Sequence, residues 1–491
     1  MTLVFVVATL LRYLTLSQSN NYCLERRRPF KKTISAVALF SAAAVVPLPY
    51  YLPTIVYAVG AVFMGTYYFC GRAKFKFTKR AAPYFVMSVA LCALLLYSLC
   101  LIEFRFFYFL LCISSVCILS FLSVKSAEIF FNGHYRRKNE AFIRKTADCF
   151  SRGNTKLIAI TGSFGKTSCK NILYTLLSTK YKVAKTDGNF NTPMGVCLSM
   201  KKLDGDEDYF IAEFGARRKG DITQLCDLFP PDVGIITGVC MQHGEVFGSL
   251  HVIYNEKFQL AKRVKEDGFC AFGIDLYAKK MYREFSGDKI SVGACEDIYA
   301  ENVTRSIGKT TFDLHIHAHC KTVSTCLCGK QALDNILLCV AVADRLGVSA
   351  EEIFDTIPLI EQSPHRLEYS FVNGIHILDD SYNGNVVGVK YSLDYLKAYP
   401  SPRYVVAQGV VEMGINQKNE NKMIGRRLAS VADVVYVLGV NKRAIKKGLE
   451  EGGFAGVTIP CRSLKKVTED MKKRVRPGAT VLFQNDVPNV Y

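Results

Sequence analysis

A sequence pattern for a redox centre, a zinc site or a disulfide framework is missing from this chain of 491 residues. Its 18 cysteines include no Cys-x-x-Cys pair, and the two that lie closest together are Cys326 and Cys328. Others, such as Cys92 and Cys117, lie in apolar stretches, where a thiol behaves as a small hydrophobic group. We therefore expect neither a structural disulfide nor a zinc site.

Acidic residues are scarce in the first third of the chain. Residues 1–156 hold 20 Lys and Arg against five Asp and Glu, so this stretch carries +15 of the formal net charge of +19. The remainder is close to balanced and lacks the interleaved basic and aromatic residues of a nucleic-acid groove. The excess charge therefore indicates contact with anionic membrane lipid and gives no reason to expect nucleic acid as a partner.

The same N-terminal stretch contains long apolar runs. Those that predict four or five membrane spans are residues 3–16, 34–48, 50–70, 82–102 and 104–124. The first run contains Arg12 and is the weakest candidate. It does not read as a signal peptide, because no basic segment precedes it and no small-residue cleavage site follows it.

Basic residues between the apolar runs predict an orientation. Loops 17–33 and 71–81 are rich in Lys and Arg, and so is the segment after residue 125. With five spans all three lie on one side of the membrane, which should be cytoplasmic. The sequence therefore predicts a multi-pass protein of the cell membrane with its later domains in the cytoplasm.

A phosphate-binding loop is predicted where an apolar run ends. Residues 161–167 read Thr-Gly-Ser-Phe-Gly-Lys-Thr, with a helix predicted from residue 168. Gly162, Ser163 and Gly165 would let backbone amides surround phosphate oxygens, Lys166 would reach the terminal phosphates, and Thr167 would hold Mg²⁺. The G-x-x-G-K-T spacing is two residues shorter than the common motif, so the strand–loop–helix context supports the prediction.

Strands and helices alternate from residue 156 onward, which is typical of an α/β fold with mainly parallel sheets. Strands are predicted at 156–161, 181–184, 208–213, 232–237, 268–273, 289–293, 311–316, 376–379, 403–408, 433–437 and 480–483. The predicted regions are a transmembrane part (1–124), a basic connector (125–150), an ATP-binding domain (151–358) and a C-terminal, Rossmann-like α/β domain (359–491).

Several segments in this order resemble the Mur ligases, the ATP-dependent amide-forming enzymes of peptidoglycan synthesis. They are the loop at 161–167, Asn-Phe-Asn at 189–191, Glu-Phe-Gly-Ala from Glu213, His-Gly-Glu-Val-Phe-Gly-Ser-Leu from His243, and Asp-Asp-Ser-Tyr-Asn-Gly-Asn at 379–385. The resemblance covers about residues 156–420. It implies a central Mur-ligase-like P-loop ATPase domain followed by a C-terminal Mur ligase domain.

The resemblance also implies roles for single residues. Lys166 would bind the β- and γ-phosphates, Thr167 one Mg²⁺, and Glu213 and His243 would belong to a second metal region. Lys257 would be a carbamate facing a metal, and Lys166, His243 and Lys257 would be catalytic. Asn335 would contact adenine, Arg366 and Asp380 would close over the phosphates and ribose, and Tyr382, Asn383 and Asn385 would shape the amine pocket.

The implied activity is ATP-dependent ligation of a carboxylate to an amine. The carboxylate would attack the γ-phosphate to give an acyl phosphate, and an amine such as D-alanyl-D-alanine would then displace phosphate. The usual N-terminal domain that binds the UDP-sugar is replaced here by the predicted spans. A UDP-linked and a lipid-linked small-molecule precursor therefore both remain open, as do another cell-wall or polyglutamate-type substrate and a non-catalytic membrane scaffold.

Overall fold

The computed structural model describes residues 106–292, 297–382 and 384–486, with a few residues between 82 and 90. Helix α1 runs from Phe106 to Ser151. Contacts divide the chain into two compact units, and residues 142–486 all belong to one of them. The last turns of α1, from Phe142, pack within that unit against the first sheet through Phe142, Ile143 and Ala147.

The predicted membrane localisation is contradicted. Among the residues whose side chains the structure describes, no helix is both long enough and apolar enough to cross a bilayer. The five apolar runs that predict four or five spans lie outside the described residues, apart from a few positions between 82 and 90 and the backbone of α1 from Phe106.

The first sheet has six parallel strands in the order β2-β3-β1-β4-β5-β6. The strands are β1 Lys156–Thr161, β2 Val183–Lys185, β3 Tyr209–Glu213, β4 Val233–Ile236, β5 Phe269–Phe272 and β6 Lys289–Ser291. The helices are α2 Lys166–Leu177, α3 Pro193–Met200, α4 Asp221–Leu228, α5 Gly244–Phe247, α6 Leu250–Ala261 and α7 Leu276–Glu284. Successive residues of β1 point to opposite faces of the sheet and so belong to different hydrophobic cores. Ile158 packs in the core that contains α2, and Leu157 in the core that contains α3 and α6.

An antiparallel sheet of three strands follows, formed by β7 Ile298–Ser306, β8 Lys309–Ile316 and β9 His319–Thr325. Phe312, Leu314 and Ile316 alternate along β8 and lie in the same core as helix α8, Lys330–Arg345. The opposite face of the sheet is polar. Helix α9, Ala350–Thr356, and a 3₁₀ turn, Ile357–Leu359, then lead to the second half of the fold.

The second six-stranded sheet has the order β10-β11-β15-β12-β13-β14, and only β10 is antiparallel among its described strands. Its strands are β10 Glu368–Val372, β11 Ile375–Tyr382, β12 Arg403–Ala407, β13 Val434–Val437, β14 Val457–Pro460 and β15 Thr480–Asp486. The helices are α10 Val386–Leu396, α11 Gln417–Ala429, α12 Lys442–Glu451 and α13 Leu464–Arg474, with a 3₁₀ turn at Gly414–Asn416. The predicted α/β fold with mainly parallel sheets is confirmed.

The strand order of the first sheet indicates where the candidate site lies. From β1 the chain passes to β2 and β3 on one side and then to β4 on the other, so β1 lies at the switch point of the first sheet. Ligands of open α/β sheets bind at the carboxyl ends of the strands at such a point. The loop after β1 and Glu213 at the end of β3 meet there, with Ile160 paired to Glu213 in the register.

Candidate active site

Close packing fixes the two glycines of the loop after β1. A Cβ on Gly162 would lie 2.1 Å from Thr237 Oγ1, so no side chain fits there. Gly165 precedes α2 with a φ of +80°, and a Cβ there would lie 2.8 Å from Asn335 Oδ1. The loop is therefore held between the end of β4 and helix α8, with its backbone turned toward the N-terminus of α2.

Ser163 and Thr167 occupy different places in the loop. The amide of Ser163 donates to Gly238 O at 2.8 Å, and its hydroxyl donates to Cys240 O at 3.0 Å. Ser163 is thus a buried anchor of the loop. Thr167 is the second residue of α2 and lines the cavity beside the loop, where its hydroxyl can face a ligand.

Lys166 bends back over its own loop. Its ammonium donates to Gly162 O at 2.6 Å. Burial lowers the pKa of Lys166, the charge of Glu213 opposes that effect, and the charge of Arg366 adds to it. The Lys166 ammonium therefore lies near charged groups from both halves of the fold, Glu213 and Arg366, and an anionic ligand would be favoured there.

Glu213 is paired with Lys170, a residue that sequence reasoning missed. Lys170 Nζ lies 3.0 Å from Glu213 Oε1, and both side chains are almost fully buried. The same ammonium donates to Thr186 O at 2.9 Å and Gly188 O at 2.6 Å. Glu213 Oε1 makes this ion pair but accepts no hydrogen bond from any described residue. The signal in the sequence was the spacing of four from Lys166, one helical turn.

Lys257 lies on α6 and is buried. Burial lowers its pKa to about 7, and the charge of Lys166 acts in the same direction, against Glu256 and Asp221. Both oxygens of the Glu256 carboxylate already accept hydrogen bonds, from the backbone amides of Gly220 at 2.8 Å and Ile222 at 2.7 Å. Near neutral pH a large share of Lys257 is thus an uncharged amine, the form that reacts with carbon dioxide.

His243 makes a contact that the sequence did not predict. Its φ is +51°, and its Nδ1 contacts a carboxylate oxygen of Glu412, which itself has a φ of +61°. Glu412 follows β12 in the second half of the fold. One ring nitrogen of the predicted metal ligand therefore faces a carboxylate of the other half, and no sequence signal marked Glu412.

A cavity of about 910 Å³, open mouth included, lies beside the loop. Its lining contains seven of the predicted site residues: Gly165, Thr167, Asn335, Arg366, Asp380, Tyr382 and Asn385. Side chains from α2, α8, β11 and α10 thus converge on one space. Lys257 and His243 do not line this cavity; the pKa of Lys257 links it to Lys166 instead.

Arg366, Asp380 and Tyr382 form one cluster in that cavity. The Arg366 guanidinium lies 4.6 Å from the centre of the Tyr382 ring. Burial raises the pKa of Asp380 to about 7, against the opposing charge of Arg366 and a hydrogen bond from Ser392. Asn189 Nδ2 donates to the Tyr382 hydroxyl, which joins the two halves of the fold at this point.

Of the two asparagines predicted beside Tyr382, the structure describes only Asn385. Asn385 precedes α10, and its Oδ1 accepts the amides of Val387 at 3.0 Å and Gly388 at 2.9 Å, so it caps that helix. Asn383 lies outside the described residues. Asn335 is buried on α8 against Gly165, where it shapes the cavity wall next to the loop.

Family models match both halves of this fold. The Mur ligase middle domain matches residues 160–343, and the Mur ligase, glutamate ligase domain matches residues 365–484. The fold and the site are those of a P-loop α/β protein with a second α/β domain beside the loop. The chain belongs to the Mur ligase family.

Relatives of known name are similar over most of this region. A UDP-N-acetylmuramoyl-tripeptide--D-alanyl-D-alanine ligase from Borreliella burgdorferi is 29% identical over 296 residues, covering 58% of this chain and 62% of the relative. The enzyme of that name from Escherichia coli is 27% identical over 59% of this chain and 65% of its own length. The chain thus spans less than two thirds of the length of these relatives.

Solved structures show the same likeness. The MurF ligase from Thermotoga maritima in complex with ADP has a TM-score of 0.65 at 26% identity, covering 72% of this chain and 81% of its own. A pseudomurein peptide ligase type C from Methanothermus fervidus has a TM-score of 0.54 at 17% identity, covering 68% and 77%, and it shows the fold alone.

Proposed function

We propose that this chain is an ATP-dependent carboxylate–amine ligase of peptidoglycan precursor synthesis, with D-alanyl-D-alanine or a similar dipeptide as the amine. The observation that carries the proposal is that two half-buried cations, Lys166 and Arg366, and the buried amine of Lys257 lie around the phosphate loop and Glu213, each with its pKa lowered by burial. Cations held partly away from water favour an anionic ligand. The names of the similar ligases supply the substrate class.

ATP would lie in the cavity beside the loop. In this proposal the backbone of Gly162, Ser163 and Gly165 encloses the phosphates, and Lys166 leaves the Gly162 carbonyl to reach the β- and γ-phosphates. Asn335 contacts the adenine, while Arg366 and Asp380 hold the phosphates and ribose from the opposite wall. A rigid arrangement of cations stabilises the charge that spreads over the transferred phosphoryl group.

Mg²⁺ fits the residues at the loop. Glu213 Oε1 is a buried carboxylate oxygen that is ion-paired with Lys170 but accepts no hydrogen bond from any described residue, and Thr167 adds a hydroxyl on the first turn of α2. Oxygen ligands of this kind are those that Mg²⁺ prefers. We propose Thr167 as the ligand of one Mg²⁺, and Glu213 and His243 as a second metal region that a carbamate on Lys257 would face. When bound, Mg²⁺ would neutralise charge on the phosphates.

The carbamate proposal rests on the chemistry of Lys257. An amine must be uncharged to add to carbon dioxide, and the pKa of about 7 provides that form. The addition consumes one molecule of carbon dioxide and releases one proton. It converts a cation that would repel a metal into an anion that can bind one.

The acyl transfer needs no protein nucleophile in this proposal. A substrate carboxylate attacks the γ-phosphate and releases ADP; the amine then attacks the acyl carbon, loses a proton, and phosphate leaves. Tyr382, Asn383 and Asn385 are proposed to shape the amine's approach, Asn385 by setting the start of α10. We also propose residues 151–358 and 359–491 as the two catalytic domains, because each contains one six-stranded sheet.

The test supplies purified full-length protein with ATP, Mg²⁺ and a carboxylate precursor, in UDP-linked and lipid-linked forms, against a panel of amines. Phosphate release and the mass of the product are measured together. We expect one ADP, one phosphate and one amide per turnover, with D-alanyl-D-alanine among the best amines.

Each other outcome identifies a different function. Turnover with glutamate but not with dipeptides would replace the proposal with a polyglutamate-type ligase. Absence of ATP turnover with every pair would leave a non-catalytic scaffold. Preference for the UDP-linked or the lipid-linked precursor would identify the form of the acyl substrate.

A further inference from the structure

Arg366 lies in a turn whose backbone is unusual on both sides of it. His365 has a φ of +60° and Leu367 a φ of +51°, so two left-handed residues flank Arg366. Residues with a Cβ rarely adopt this conformation, and it persists only where surrounding contacts hold it. The two conformations set the direction in which the Arg366 side chain leaves the backbone, so the contacts that hold this turn also orient Arg366.

Three hydrogen bonds of the backbone hold the turn. The amide of His365 donates to Glu368 Oε2 at 2.9 Å, and the amide of Arg366 donates to Ser363 O at 3.2 Å. The carbonyl of His365 accepts the amide of Tyr382 at 3.2 Å, which attaches the turn to the end of β11. These three contacts do not use the side chain of His365, so they remain when that side chain is removed.

The imidazole of His365 adds a fourth contact, to Asp379 on β11. Its Nδ1 lies 2.7 Å from Asp379 Oδ2, while Asp379 Oδ1 accepts the amide of Ser381 at 3.0 Å. The acidic groups that act on the ring are Asp379 on β11 and Glu368 on β10. The hydrogen bond to Asp379 raises the pKa of His365, and the charges of both carboxylates add to this effect. The protonated ring, which donates through Nδ1, is therefore favoured in the folded protein.

The guanidinium of Arg366 lies where its position matters for a ligand. It lines the cavity beside the phosphate loop, 4.6 Å from the centre of the Tyr382 ring, and its charge lowers the pKa of Lys166. The described lining of the cavity includes Arg366 but neither His365 nor Asp379. The two residues can therefore act on a ligand in the cavity only through the turn.

We propose that His365 and Asp379 are positioning residues for Arg366: their pair holds the left-handed turn, and the turn directs the guanidinium toward the phosphates of ATP. The inference rests on the proposed role of Arg366 in ATP binding. Loss of the pair should weaken nucleotide binding, which can be measured without turnover. Folding should stay largely intact, because the three backbone hydrogen bonds of the turn remain.

The test measures the Kd of a non-hydrolysable ATP analogue with Mg²⁺ by calorimetry on the full-length protein. His365→Gly removes the imidazole while suiting the positive φ, so a weaker affinity cannot come from backbone strain. We expect its Kd to rise about tenfold, as for loss of a hydrogen bond between charged groups. His365→Asn should recover part of the affinity, since asparagine tolerates this conformation and its amide can donate to Asp379.

A double variant separates positioning from general damage. In an Arg366→Ala protein there is no guanidinium to direct, so adding His365→Gly should leave the Kd unchanged. Asp379→Ala should behave as His365→Gly does, and the two together should cost little more than either alone. A further loss of affinity on adding His365→Gly to Arg366→Ala would overturn the proposal.

The pH dependence of binding gives a second readout. Because Asp379 raises the pKa of His365, the charged pair is present at low pH and is lost as pH rises through that pKa. The Kd of the wild type should increase over this interval relative to that of His365→Asn, whose amide does not titrate. The comparison cancels the titration of the nucleotide itself. An identical pH dependence in both proteins would contradict a role for the charged pair.

The chain contains a matched control at another turn. His317 also has a positive φ, of +52°, and its Nε2 lies 3.0 Å from Asp344 Oδ2. It follows β8 and is not among the described residues that line the cavity, so His317→Gly should keep the wild-type Kd. Wild-type affinity in His365→Gly would overturn the positioning role. Failure of the wild type to bind the analogue would instead overturn the proposed function, and this inference with it.

Discussion

The charged groups around the phosphate loop are buried and interlocked, whereas several contacts from the second half of the fold are single hydrogen bonds or ion pairs that involve partly exposed side chains. Lys170, Glu213 and Lys257 are all buried within the first half. Across the halves, by contrast, Asn189 contacts Tyr382, and His243 contacts Glu412. Asn171 Nδ2 also donates to Ser363 Oγ at 3.0 Å.

This difference indicates that the two sets of residues have different roles. Groups whose pKa values are shifted by burial are typical of catalytic sites, and they need a fixed environment to keep those values. Side chains that join two domains by single hydrogen bonds contribute about 1 kcal/mol each, so such contacts can form and break as the halves move. Substitutions near the loop should therefore act on chemistry or folding, and those across the halves on substrate capture.

The largest expected effect comes from Lys166→Ala. Loss of the ammonium that contacts the transferred phosphoryl group should reduce kcat by roughly a thousandfold, with folding intact. Substrate-dependent phosphate release measures it. Lys156→Ala, an exposed lysine at the start of β1, is the matched control and should keep its rate. Near-normal turnover in Lys166→Ala would remove the loop from the mechanism.

Lys170→Met should act mainly on stability. It leaves the Glu213 carboxylate buried without its cation and frees two carbonyls, at 186 and 188, from a hydrogen bond. Breaking a buried ion pair in this way costs about 3–5 kcal/mol of unfolding free energy. Urea denaturation measures the loss.

A second variant shows whether the pair is the cause. Adding Glu213→Gln to Lys170→Met removes the unpaired charge and should recover part of the lost stability, although not activity. If the double variant is no more stable than Lys170→Met, the carbonyl contacts alone account for the effect.

Lys257 should give a bicarbonate-dependent activity. Lys257→Ala is expected to lose about a hundredfold in rate, and short carboxylic acids should restore part of it by replacing the carbamate anion. Because the pKa is about 7, the uncharged amine declines as pH falls below 7. Wild-type activity should therefore decline there, and added bicarbonate should offset the decline. Full activity of Lys257→Ala would refute the carbamate.

Sequence patterns predicted the central strands well and missed the exposed ones. Strands predicted at 156–161 and 208–213 correspond to β1 and β3, whose buried residues form apolar runs. Strands β7, β9 and β10 expose most of their residues, so no apolar pattern marks them. They are strands because β8 and β11 supply hydrogen-bond partners.

The residues of the candidate site also fall into those that sequence patterns indicated and those that they missed. The turn after β1 was predictable because local backbone geometry sets the conformations of Gly162 and Gly165, whereas the roles of these residues and of Lys166 stay predictions. Glu412 was not predictable, because its partner His243 is 169 positions away and the contact depends on how the two halves pack. The sequence identified Asn385 but not its role as a helix cap, since capping depends on where α10 begins.

The smallest expected effect is that of Tyr382→Phe, which removes the hydroxyl that accepts from Asn189 and keeps the ring beside Arg366. We expect a loss of a fewfold in kcat/KM for ATP, since one hydrogen bond contributes about 0.5–1.5 kcal/mol. Tyr404→Phe is the control, because it loses a single hydroxyl contact, to Arg474 O, away from the cavity. Combining Tyr382→Phe with Asn189→Ala should cost little more than either change alone, because both remove the same contact. Fully additive losses would mean that the two side chains act independently, and that this contact does not couple the halves.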